Sequence, residues 1–195
     1  MHLRSSHIMI FDPLNPRLMT NPTEDELQDF LILCVCVAGK KASVQRQKVT
    51  DLLSQRNGLA PFDYLKKLGP SLEARLKEVR IGQYRRITKT FQWLASNAPD
   101  LTKCTLDEIE QIPGIGPKTS RFFMLYARNQ VVAVLDRHVM RWLNRLGYKD
   151  APLLTPLKKD YPKWEKIFLE EAEKRKISPL ELDAEVWLQG MRKTT

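Results

Sequence analysis

The sequence predicts an all-α protein, and three observations carry that expectation. First, three capping boxes punctuate the chain, Thr23 to Glu26, Thr105 to Glu108 and Ser178 to Glu181. In each, a hydroxyl and a carboxylate three residues later can satisfy the free amides of a helix start. Second, Leu27, Phe30, Leu31, Cys34 and Val37 follow the first box at the spacing of one helix face. Third, the one run rich in β-formers, Val131–Leu135, has five residues and no partner, so it reads as an extended, buried connector.

Taken in order, the first box opens a helix, and the stretches Ser43–Ser54, Ser71–Val79 and Gln83–Ser96 continue the helical pattern. The second box opens a short helix, followed by Lys118–Asn129, Arg137–Leu146 and Pro162–Lys174. The third opens the last helix, with Pro179 at the favoured first position. Breaks fall at Gly39, Gly58–Pro61, Gly69–Pro70, Ala98–Pro99, Pro113–Pro117, Gly147 and Pro152–Pro156. The sum is about nine short helices, with no repeat and no low-complexity segment.

The chain of 195 residues is long enough for a real core in one domain or two small ones. No run of 18 apolar residues is present, so no membrane helix is expected. The start, Met1 to His7, lacks the apolar region of a secretory signal, and a cytoplasmic or nucleoid protein is expected. A net charge of +9 suits a polyanionic partner, although many basic proteins bind no nucleic acid. Cys34, Cys36 and Cys104 have neither zinc nor iron–sulfur spacing and are odd in number, so reduced, buried thiols are expected.

The informative stretch runs from Thr105 to Gly147. Gly114 and Gly116, one residue apart, permit a tight turn just before the helix that starts near Lys118. Amides there lie at a helix N-terminus, where the dipole favours an anion, so Gly114, Gly116 and Lys118 can seat a phosphate. An ordinary turn between two helices would also use these residues. Lys118 and Asp136 lie 18 residues apart. The intervening helix spans roughly 18 Å, and the connector can return along it, so both side chains can face one place. A lysine attacks only as a free amine, and burial beside Arg121, Arg137 and the hairpin amides would favour that form. A carboxylate such as Asp136, placed to cap the helix at Arg137, can stabilise the cationic sugar formed as a glycosidic bond breaks. Taken alone, the two would equally be a surface lysine and a capping aspartate.

Ile112-Pro113-Gly114-Ile115-Gly116-Pro117-Lys118-Thr119, followed by Val134-Leu135-Asp136-Arg137-His138, resembles the signature of the helix-hairpin-helix glycosylases, which include endonuclease III. The resemblance implies a catalytic aspartate at Asp136. It also implies a lysine at 118 that attacks C1′, forms a Schiff base and breaks the strand by β-elimination. It extends over Leu31–Leu53, Gly82–Leu94 and Trp164–Gly190. The four-cysteine cluster loop of endonuclease III and the β-domain of the eukaryotic-type enzymes have no counterpart, so no iron–sulfur cluster is expected. The small cluster-free 8-oxoguanine glycosylases of archaea and bacteria are more similar, with an Asp-Arg-His and a segment like Leu180–Trp187. Those enzymes end on a lysine that helps recognise the base, whereas Lys193 here precedes Thr194 and Thr195. Ala38–Ala42 also departs from the polar motif of most relatives.

This resemblance implies two interlaced helical domains with a cleft between them. Residues 23–130 would form a helical barrel with the helix-hairpin-helix, and residues 1–22 and 131–195 the second domain carrying Asp136. The expected partner is double-stranded DNA containing a damaged base, and the chain is expected to act as a monomer. A flipped base leaves a gap to fill. The candidates, expected in loops, are Lys40, Lys41 and Gln45 on one side and Tyr84 and Arg85 on the other. Phe122, Trp142 and Trp187 are aromatics to sandwich the base, though each also fits core packing. His138 is given a supporting role. The family further implies a monovalent cation on the hairpin carbonyls of Glu110, Ile112 and Ile115. Besides 8-oxoguanine, the readings open at this point are oxidised pyrimidines, a DNA base-hypermodification relative, and a non-catalytic hairpin DNA-binding module.

Overall fold

The computed structural model describes residues 18–192, with side chains through residue 190. Among the described residues there are ten α-helices, one 3-10 turn and no strand. They are α1 (Glu24–Val37), α2 (Ala42–Leu53), α3 (Pro61–Leu68), α4 (Leu72–Glu78), α5 (Tyr84–Asn97), α6 (Leu106–Gln111), α7 (Pro117–Arg128), α8 (Arg137–Arg145), α9 (Tyr161–Arg175) and α10 (Pro179–Arg192). All three capping boxes form: Glu26, Glu108 and Glu181 each accept from the backbone amide and hydroxyl of Thr23, Thr105 and Ser178. The helix not expected from the sequence is α3, whose eight residues lie between two glycine–proline breaks and begin with Pro61. Proline at a first helical position starts a helix as readily as it ends one.

The chain divides into two compact units. In the first, residues 20–115, α1 is buried from Leu27 to Val37 and packs against α2, α3 and α5. A helix apolar on all sides belongs in a core. Its one buried charge, Asp29, is met by Arg56 at 3.1 Å. In the second, residues 116–192 with Leu18 and Met19, Leu135, Met140, Trp142, Phe168 and Val186 form the core around α8, α9 and α10. The division expected after residue 130 falls instead before α7, which groups with the second unit. The reason is polar: Arg121 pairs with Glu165 of α9 at 2.9 Å, and Tyr126 donates to Asp183 of α10 at 2.6 Å. Residues 1–17, expected in the second domain, lie outside the described residues. Cys34, Cys36 and Cys104 are buried, and none of them forms a disulfide among the described residues. No helix of the described chain is long and apolar enough to cross a membrane.

Candidate active site

The hairpin turn begins where α6 ends. Ile112 leaves the helix, and its carbonyl accepts the Ile115 amide at 3.0 Å. Gly114 has φ +85°, and a Cβ there would run into Thr90 Oγ1 and come within 3.2 Å of Arg86 Cγ. Both the conformation and the packing therefore require glycine. Gly116, the N-cap of α7, has an ordinary extended backbone, and a Cβ on it would meet nothing within 4 Å. Among the described residues the amides of Gly114, Gly116 and Lys118 have no acceptor. A helix N-terminus without a side-chain cap, facing open space, is chemically ready for an anion.

Lys118 is the second residue of α7 and is half-buried. Asp136 caps α8, its Oδ1 accepting the His138 and Val139 amides at 2.7 and 3.0 Å, while Oδ2 accepts no bond among the described residues. The extended connector that delivers Asp136 is tied down by α9. Tyr161 Oη accepts from the Leu135 amide (2.9 Å) and donates to the Ala133 carbonyl (2.8 Å), and Glu165 accepts the Ala133 amide at 3.0 Å. The buried connector expected from Val131–Leu135 is therefore present, and α9 explains why it stays extended without a partner strand.

Lys118 and Asp136 share one neighbourhood, because both act on the same two groups. Asp183 of α10, only 7 % exposed, is pushed up to about 7 by burial; the Tyr126 hydrogen bond and the Lys118 ammonium oppose this, and Asp136 adds to it. Burial likewise lowers the His138 pKa, against Asp136 and with Arg137, Arg141 and Lys118, so this imidazole is neutral at physiological pH. His138 lies against Gly190 so closely that a Cβ there would meet its ring. Asp183 is not among the site residues expected from the sequence. The signal was available: it is a carboxylate on the apolar stripe of Leu182 and Val186, where a charge needs a reason. One expectation is corrected. Arg121 is neutralised by Glu165 and lies over the Tyr161 ring at 4.7 Å, so it supplies no free positive field to Lys118; Arg137 is exposed.

The gap-filling candidates separate. Lys40 and Lys41 are exposed, but Gln45 is 2 % exposed inside α2, not on a loop, and its Oε1 makes no hydrogen bond. Tyr84 and Arg85 stand on the first turn of α5, half-buried and exposed, rather than in a loop. The two sides do meet: Lys40 Nζ lies against Gly82, and Gln83 Nε2 donates to the Ala38 carbonyl at 3.1 Å. Phe122 is half-buried, edge-on to Tyr126 at 5.3 Å, and Trp187 is half-buried one turn beyond Asp183. Trp142 packs on Phe168 and under Arg175 in the core, which rules it out as a base platform. Lys193 lies outside the described residues. No three His, Cys, Asp or Glu side chains gather as a metal site among the described residues. A cation at the hairpin would rest on main-chain oxygens, of which Ile112 O already accepts one bond.

Residues 16–177 match the family model described as 8-oxoguanine DNA glycosylase. Among solved structures, the chain is similar to the Methanocaldococcus jannaschii 8-oxoguanine glycosylase/lyase in complex with 15mer DNA containing 8-oxoguanine. The TM-score is 0.66 and the identity 20 %, over 90 % of this chain and 84 % of that one. It is similar to the 8-oxoguanine DNA glycosylase of Thermotoga maritima, with TM-score 0.65 and 22 % identity over 86 % and 80 % of the two chains. A trapped covalent endonuclease III–DNA intermediate has TM-score 0.59 and 20 % identity over 88 % and 74 %.

Proposed function

We propose, since this chain belongs to the 8-oxoguanine DNA glycosylase family, that it removes 8-oxoguanine from double-stranded DNA and nicks the resulting abasic strand. The observation that carries this reading is the shared environment of Lys118 and Asp136, both acting on Asp183 and His138. The neutral Lys118 amine attacks C1′ as the glycosidic bond breaks, and the base leaves with the bonding electrons and a proton. The lysine lone pair then breaks the C1′–O4′ bond; O4′ takes up a proton from solvent as the sugar ring opens, leaving a protonated Schiff base between the nitrogen and C1′. Loss of a C2′ proton expels the 3′ phosphate, and water returns the free lysine. Asp136, its Oδ1 held by two amides and its Oδ2 open, stabilises the positive charge that develops on the sugar. Asp183 can hold or release a proton near neutrality beside this pair.

The amides of Gly114, Gly116 and Lys118 anchor a backbone phosphate. A monovalent cation, where bound, would be held by the carbonyls of Glu110, Ile112 and Ile115 and would add positive charge there. Lys40, Tyr84 and Arg85 are the residues suited to fill the gap left by the base, and Phe122 and Trp187 those suited to contact it. The protein works as a monomer on chromosomal DNA.

Borohydride trapping on an 8-oxoguanine duplex tests the reading. A covalent adduct is expected from the unmodified chain and none from Lys118→Gln. Asp136→Asn is expected to keep duplex binding and lose base release by at least about 10²-fold. Binding with no adduct on any lesion would remove the lyase step, and binding with neither adduct nor base release would make the chain a non-catalytic hairpin module.

A further inference from the structure

Away from the reacting residues, one side chain of the first unit joins segments far apart in sequence. Arg86, half-buried in the first turn of α5, directs Nη2 to the Val35 carbonyl (2.7 Å), Nη1 to the Gly114 carbonyl (3.0 Å) and Nε to Gln83 Oε1 (2.7 Å). Gln83 passes the connection to Ala38 through Nε2. One turn on, the fully buried Thr90 hydroxyl lies 2.7 Å from the Pro113 carbonyl. The end of α1, the start of α5 and the hairpin turn are thus locked by one guanidinium, one amide and one hydroxyl. Every acceptor of Arg86 is neutral. The buried guanidinium groups of Arg56, Arg75 and Arg121 meet Asp29, Glu78 and Glu165, but Arg86 meets no carboxylate among the described residues. A structural arginine is normally matched. Here a unit of positive charge is left unbalanced beside the turn.

We propose that Arg86 is the positioning residue of the hairpin's phosphate anchor. It keeps the Gly114 turn in register with the α1–α2 link that carries Lys40, and it lends its uncompensated charge to the DNA backbone. The proposal rests on the DNA reading above. A planar fork is needed, because an ammonium offers the charge but cannot span Val35, Gly114 and Gln83 together. Thr90 assists from the other side of the turn.

The test is duplex affinity against salt concentration, by fluorescence anisotropy on DNA bearing a reduced abasic site. Arg86→Met is expected to weaken binding by about tenfold and to make the salt slope shallower by about one. Arg86→Lys is expected to restore the slope but not the affinity. Thr90→Val, nearly isosteric and charge-neutral, is expected to weaken affinity at an unchanged slope. Unaltered slope and affinity in Arg86→Met overturn the proposal. So do losses in all three variants that merely track their melting temperatures. If the unmodified chain binds no duplex with a salt slope, the DNA reading itself fails, before any variant is compared.

Discussion

Two aspartates, one in each unit, are buried alike and mean different things. Asp29 on α1 is 1 % exposed and Asp183 on α10 is 7 % exposed, and burial pushes both carboxyls up to about 7. Asp29 faces Arg56, whose Nη1 lies 3.1 and 3.3 Å from its two oxygens and closes α1 against the α2–α3 link. Asp183 has no such cation. It receives the Tyr126 phenol at 2.6 Å, and the charges in its field are Asp136 and Lys118. A perturbed carboxyl therefore marks no site by itself. What separates the two is whether the field is closed by a dedicated partner or left to the residues proposed to do the chemistry.

The largest expected effect tests the closed case. Asp29→Asn strands the Arg56 guanidinium in the core, and breaking one side of a buried pair costs about 3–5 kcal/mol. A thermal melt is expected to shift down by roughly 10 °C, while the folded protein excises 8-oxoguanine at its normal rate. Asp183→Asn is expected to show the opposite pattern. The amide oxygen still accepts the Tyr126 proton and no cation is stranded, so the melt moves by only a few degrees, but excision slows by about 10²-fold. Early melting with normal excision in Asp183→Asn would erase the distinction.

The open case gives a pH dependence with a defined sign. An unfolded aspartate titrates at 3.8 and Asp183 at about 7 when folded. Between those values the folded chain holds a proton that the unfolded chain has lost, so stability falls as pH rises from about 4 to about 7. Urea unfolding at pH 4.5 and 7.5 is expected to show that loss, and Asp183→Asn to reduce it. An unchanged difference in the variant would place the Asp183 carboxyl at its ordinary value.

The contrast also shows what the sequence could display. Helix starts were legible because a capping box is a local device, formed by residues three apart at Thr23, Thr105 and Ser178. The turn at Gly114 to Lys118 and the cap at Asp136 were legible for the same reason. What was hidden depends on long-range packing. Gln45 looks like a solvated polar residue until α2 turns it inward, and Asp183, though its apolar stripe marks it, has no visible partner until Tyr126, 57 positions earlier, meets it. Arg121 looks like a free cation until Glu165, 44 positions later, pairs with it. Patterning shows that a residue sits on a helix face, but not which distant charge covers it.

The smallest expected effect is the sharpest probe of the comparison. Lys118 holds the Asp183 carboxyl down, the weakest of its four influences, and does not enter the surroundings of Asp29. Removing that ammonium in Lys118→Gln should therefore raise the Asp183 midpoint further and leave Asp29 in place, as followed by carbon NMR of the two carboxyls across the pH range. The sign follows from Coulomb attraction alone, since an anion deprived of a nearby cation takes up its proton more readily. A shift of Asp29 in step with Asp183 would point to a general loosening of the fold. No shift at all would separate the amine from the carboxyl, and with it the single neighbourhood on which the proposed Schiff-base chemistry depends.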